Sequence, residues 1–151
     1  MNQSAVQTYE TKTWIAAPRA AIWRVMSDVV KWPEWLPTVT AVEPLGESSV
    51  KLDARFRVVQ PRLRPATWVV TSVRADQSFT WESRSPGLLI TAEHSIDDSD
   101  GARATVSLRV SFAGLLAPLL GRLFRSTTES YLAQEAAALR RKIEAERGSA
   151  A

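Results

Sequence analysis

The chain of 151 residues contains no cysteine, so disulfides and thiolate metal sites are excluded. It has one histidine, His94, so a multi-histidine metal centre is excluded as well. No window approaches the 18 apolar residues that a membrane-spanning helix needs. Residues 1–13 lack the basic segment and apolar run of a signal peptide. These absences lead to the expectation of a cytoplasmic protein with no stable membrane insertion and no cofactor. There is no glycine-rich phosphate loop, no Ser-His-Asp order and no carboxylate pair placed at one mouth. The net charge of +3 is mild, and the arginines are scattered rather than gathered on one basic face, which argues against a nucleic-acid partner. What the chain does have is an ordinary 45% of hydrophobic residues and six tryptophans. That is enough for one domain with a real core and too little for two. The whole chain, 1–151, is therefore read as a single domain.

The last third is the organising stretch. Leu116, Leu120, Leu123, Phe124, Thr127 and Thr128 follow helical spacing, as do Tyr131, Gln134, Glu135, Ala138, Leu139 and Lys142 after them. They predict one helix over 115–147, about 45 Å long at 1.5 Å per residue. Its greasy start, LLAPLLGRLF over 115–124, is expected to pack on a sheet, with contact to a membrane or a second subunit as the alternative, and to kink where Pro118 and Gly121 loosen it. Thr127, Thr128, Tyr131 and Glu135 interrupt the stripe with polar groups. Either they touch water at its edge, or the helix roofs a cavity.

Upstream, residues 8–15 predict a strand and 18–27 a short helix started by Pro18. Asp28 is placed to cap a second short helix over 29–35, which Pro33 interrupts. Strands follow at 39–45, 50–60, 67–74, 78–83, 88–96 and 103–112, with a hairpin signal, DDSDG, at 97–101. All their connections are short, so the sheet is antiparallel and the fold class is α+β. Alternation turns Leu52, Ala54, Phe56 and Val58 to one face. The same reading places Leu88, Ile90, His94, Leu108, Phe79 and Trp81 inward, and Trp68, Val70 and Ser72 by extension.

The order of elements resembles the helix-grip fold of the START-like (SRPBCC) superfamily, which includes the Bet v 1-type proteins. The pattern is similar to its polyketide cyclase/dehydrase-like group. The matching residues are Ile15-Ala16-Ala17-Pro18 leading to Ile22-Trp23, the run SDVVKWPEW over 27–35, Trp68, Trp81, the Pro86-Gly87 turn and Glu93-His94. The match runs over about residues 7–146. It implies a curved seven-stranded antiparallel sheet gripping the C-terminal helix, two short helices after the first strand, and an apolar cavity between sheet and helix.

The cavity is expected to be lined by Phe56, Trp68, Ser72, Trp81, Ile90, His94, Leu108, Phe124 and Tyr131. Trp23 and Trp35 are read as structural anchors, and Trp32 as lying with Trp35 at the cavity rim. Trp68 and Trp81 are read as ligand contacts or as core. His94 is either a satisfied structural histidine or a group that hydrogen-bonds a ligand. As an acid or base it would need a second group, and Tyr131 and Glu135 are the inward candidates. Three functions stay open. The first is carriage of a hydrophobic small molecule such as a lipid, polyketide or quinone, by a monomer or weak homodimer. The second is a cyclase or dehydratase using His94 and Tyr131. The third is a quinone-binding or ribosome-associated relative.

Overall fold

A computed structural model of the chain describes residues 6–97 and 100–149. The expected 97–101 turn falls partly on residues 98 and 99, outside the described residues. Seven strands form one antiparallel sheet: β1 (Gln7–Ile15), β2 (Ala41–Pro44), β3 (Arg55–Val59), β4 (Ala66–Arg74), β5 (Ser78–Ser85), β6 (Leu88–Asp97) and β7 (Ala104–Ala113). Their order is β1-β7-β6-β5-β4-β3-β2, so each strand from β2 to β7 pairs with its sequence neighbour and β1 closes on β7. Helix α1 (Arg19–Met26) and a 3-10 helix (Val29–Glu34) connect β1 to β2. Two helices, α2 (Ala117–Leu123) and α3 (Arg125–Ser149), end the chain. The expected helix-grip architecture is present.

Four expectations are corrected. First, the 115–147 segment is broken at Phe124, whose backbone leaves helical geometry at φ −96° and ψ 11°. In an unbroken helix the Gly121 carbonyl would accept the Arg125 N–H. Here it accepts the Tyr9 hydroxyl at 2.8 Å, so a β1 side chain takes a bond the helix would need. Helix α3 alone is about 37 Å long at 1.5 Å per residue.

Second, the strand expected over 50–60 begins only at Arg55, because Asp53 adopts φ +68°. The alternation stops there, and Leu52 is 65% exposed instead of inward. Third, the register slips between Val70 and Ser72. Thr71 is the extra residue of a β-bulge, which reverses the parity beyond it. Val70 pairs with Trp81 and Val73 with Phe79. Val73 thus packs on the core, and Ser72 is exposed, not cavity-lining. Fourth, Asp28 occupies the N-cap position of the 3-10 helix, yet its side chain makes no capping hydrogen bond.

The core lies between the concave sheet face, α1, the 3-10 helix and α3. Ile22 and Met26 of α1, Val29 and Trp32 of the 3-10 helix, and Leu132, Ala136, Leu139 and Ile143 of α3 are buried against Ile15, Phe56, Val70, Phe79, Val106 and Leu108. Small residues at 136 and 138 bring α3 close to β1, on which it chiefly packs. That placement leaves the space above β3–β6 to aromatic side chains.

Candidate functional site

Strand register stacks the inner face in layers. Thr11, Leu108, His94 and Phe79 lie side by side across β1, β7, β6 and β5. Next come Tyr9, Val110, Ala92, Trp81 and Val70. Toward the β5–β6 turn follow Gln7, Phe112, Ile90 and Ser83, while Trp68 pairs with Phe56 on the β4–β3 side. Leu108, His94, Phe79, Trp81 and Val70 of the first two layers are buried, while Thr11, Tyr9 and Val110, toward β1, are half-buried. Toward the third, Trp68, Ser83 and Ile90 are only half-buried. Phe112 of that layer is buried, so the less covered β5–β6 end beside Trp68 and Ile90 is only the candidate open end of the grip.

Aromatic rings fill the closed part. The His94 imidazole lies flat on Phe79, with centroids 4.3 Å apart and planes within 8°. Trp32 lies 5.5 Å from His94 and 5.4 Å from Trp81, edge-on to the latter. Trp81 also meets Phe56 at 6.1 Å and Trp68 at 5.5 Å. Trp32 is 3% exposed and its indole N–H donates to the Met26 carbonyl at 3.1 Å. It belongs to the centre of the cluster, not to the rim where the resemblance put it. The missed signal is that indole donor: a tryptophan can be buried this deeply once its N–H has a partner.

One polar pair is set among the rings. His94 Nε2 donates to Glu135 Oε1 of α3 at 3.1 Å. The His94 and Glu135 side chains are 5% and 18% exposed. The second ring nitrogen, Nδ1, is buried with no hydrogen-bond partner among the described residues. A buried polar atom without a partner costs about 1–3 kcal/mol, so its persistence calls for a reason.

The sequence-predicted residues divide accordingly. Phe56, Trp81, His94 and Leu108 meet in the closed interior, and Trp68 and Ile90 stand at the open end. Phe124, half-buried, marks the junction of α2 and α3. Tyr131 is not brought to His94: its hydroxyl donates to the Pro61 carbonyl in the β3–β4 loop, and Glu135, one turn further along α3, takes the histidine. Tyr131 thus ties the helix to the loop beside the opening. Two surface depressions lie outside the grip. One of ≈ 340 Å³ is lined by Trp14, Asp100 and Arg103, and one of ≈ 240 Å³ by Leu45, Lys51 and Asp53. Among the described residues no three His, Asp or Glu side chains converge as metal ligands, and no helix is long and apolar enough to cross a membrane.

The family model described as polyketide cyclase/dehydrase and lipid transport matches residues 6–144. The chain belongs to this family. As a member of the polyketide cyclase/dehydrase and lipid transport family it also shares its fold with several solved structures. A norcoclaurine synthase point mutant from Thalictrum flavum superposes with a TM-score of 0.77 at 13% identity, covering 97% of this chain and 99% of that one. The Zhui aromatase/cyclase from Streptomyces sp. R1128 gives 0.75 at 18% identity, covering 93% and 94%. A START superfamily protein from Mycobacterium smegmatis gives 0.73 at 14% identity, covering 91% and 97%. At these identities the likeness establishes the fold alone. No curated protein sequence matches the chain.

Proposed function

We propose that this family member binds a hydrophobic small molecule, of the lipid, polyketide or quinone kind, at the open end of the grip. The ligand would lie against Trp68, Ile90 and Trp81 and reach inward to His94. The observation that carries this reading is the buried, unpartnered His94 Nδ1 within an otherwise aromatic interior. With Nε2–H committed to Glu135, Nδ1 of a neutral ring is an acceptor, and a ligand hydroxyl is the group that would satisfy it. Burial of apolar area then supplies affinity, and this single polar contact sets orientation. The Tyr131–Pro61 tie flanks the opening, so its release is the step that would admit the ligand.

The experiment is titration with an apolar fluorescent probe carrying one hydroxyl, read by tryptophan quenching. Trp68→Ala should weaken binding about tenfold, as expected for loss of roughly 1.4 kcal/mol of ring contact. Tyr131→Phe should leave affinity within about twofold and speed uptake. A Trp68→Ala protein that binds as tightly as wild type would remove the open end from the site.

A second reading has its own support. A histidine hydrogen-bonded to a carboxylate in a water-poor pocket is an arrangement suited to general acid–base chemistry. In a cyclase or dehydratase of this form the working pair would be His94 and Glu135, in place of the His94–Tyr131 pair expected from the sequence. Turnover of an aromatic polyketide that is abolished in Glu135→Gln but retained in Tyr131→Phe would favour it over carriage.

A further inference from the structure

We propose that α2 is a reversible docking surface for an anionic lipid bilayer, placed beside the open end of the grip. The helix has its apolar side reversed. Its small residues, Ala117 and Gly121, are buried, while Leu115, Leu119 and Leu123 are 91%, 66% and 68% exposed. Leu119 and Leu123 are four residues apart and share one face of α2, while Leu115 and Leu116, the latter 42% exposed, lie in the turn that leads into it.

The helix is fixed in this orientation. A Cβ on Gly121 would meet the end of the Gln7 side chain, so the inner side of α2 is closely packed at this point. The Gln7 amide donates to the Pro118 carbonyl at 3.3 Å, Tyr9 holds the Gly121 carbonyl, and the Leu116 N–H donates to the Gly87 carbonyl at 2.9 Å. Contiguous exposed leucines held outward mark an interaction surface rather than a displaced core.

Charge decides what covers it. Segments 60–65, 82–88 and 115–129 meet at this end through the Tyr131–Pro61 and Leu116–Gly87 contacts. Together they carry Arg62, Arg64, Arg84, Arg122 and Arg125 against only Glu82 and Glu129. Both glutamates are engaged, by Arg84 and Arg125. Arg62, Arg64 and Arg122 are exposed and have no acidic partner among the described residues. A second copy of the chain seated here would set like charges face to face. An anionic bilayer would neutralise them while the leucines enter the boundary between headgroups and acyl chains. Arg122 lies on the same exposed arc as the leucines and can lay its stem along that boundary.

The proposal does not require a bound ligand, so it stands or falls separately from the reading of the grip. The test is co-sedimentation of the full chain with vesicles of phosphatidylcholine alone and of phosphatidylcholine with phosphatidylglycerol. Wild type should bind the anionic vesicles and be released as salt is raised. Leu119→Asp/Leu123→Asp should lower partitioning about tenfold or more, and Arg122→Glu several-fold, with melting temperatures unchanged because all three side chains are exposed. Wild type that stays in the supernatant with both vesicle types would overturn the proposal, as would a double-aspartate variant that binds like wild type. A dimer in sedimentation velocity that the double variant abolishes, without vesicle binding, would instead assign the surface to a second copy of this chain.

Discussion

Glu135→Ala removes the one hydrogen-bond partner that the His94 side chain has among the described residues. The His94 side chain is 5% exposed, its ring is stacked on Phe79 at 4.3 Å, and Nδ1 has no partner to begin with. Loss of the carboxylate leaves both ring nitrogens unsatisfied. Such a group costs about 1–3 kcal/mol, offset by a few tenths because alanine is the better helix former. For a domain of this size the melting temperature should fall by roughly 3–10 °C. The control is His94→Phe/Glu135→Leu, which removes the whole polar pair and leaves a ring to stack on Phe79. That double variant should come much closer to wild type than the sum of its single changes, since replacing both partners by apolar groups can be nearly neutral. Urea titrations followed by far-ultraviolet dichroism and by tryptophan fluorescence give the cycle. Additive single and double values, or a Glu135→Ala protein within about 0.5 kcal/mol of wild type, would refute the coupling.

Gly114→Ala should cost about 1–3 kcal/mol or more, read by the same titration, because φ is +106° there and the new Cβ would lie 2.6 Å from the Gly87 carbonyl oxygen. Asp28→Ala should change stability by only a few tenths of a kcal/mol, below the usual cost of losing a cap, since no side-chain cap bond exists to be lost; a loss near 2 kcal/mol would show that the bond forms in solution. The Glu10 carboxyl is held below its ordinary range by the Arg109 side-chain hydrogen bond at 2.8 Å. A depressed carboxyl stabilises the fold above its unfolded-state pKa and loses that contribution as pH falls through its folded value. Glu10→Gln should therefore flatten the acid limb of the stability–pH curve slightly, and high salt should shrink the difference at this exposed pair.

The fold was legible because its signals are local and repeated. Alternation in 104–112, the short turns and the run over 27–35 each indicate one arrangement, and they agree with one another. The inner face was legible wherever alternation runs unbroken, as at Phe79, Trp81, His94 and Leu108. It was misread where one residue breaks parity without a signature. Val69 to Val73 contains no glycine or proline to mark the bulge that turns Ser72 out. Asp53 carries a positive φ inside a pattern that otherwise continues. The α2 leucines show the limit of inferring burial from apolarity: spacing reports that a face is apolar, not whether something in the same chain covers it. Tyr131 was misassigned for a different reason. Its partner is a loop carbonyl, and no periodicity encodes how near Pro61 comes to the helix.

Tyr131 and Glu135 stand one turn apart on one face of α3, the first holding the β3–β4 loop and the second the sheet at His94. A one-residue slip of the helix would rotate that face by about 100° and break both contacts at once. These polar contacts thus help Leu132, Leu139 and Ile143 to set the register of the helix, a task that Ala136 and Ala138 cannot perform because alanine packs almost equally well in neighbouring registers. Glu135, which holds the one polar residue proposed to meet a ligand, therefore also fixes the wall of its site. Single substitutions at His94 or Glu135 will move stability and binding together. Only paired measurements, with the apolar double variant as reference, separate a residue that holds the ligand from one that holds the helix.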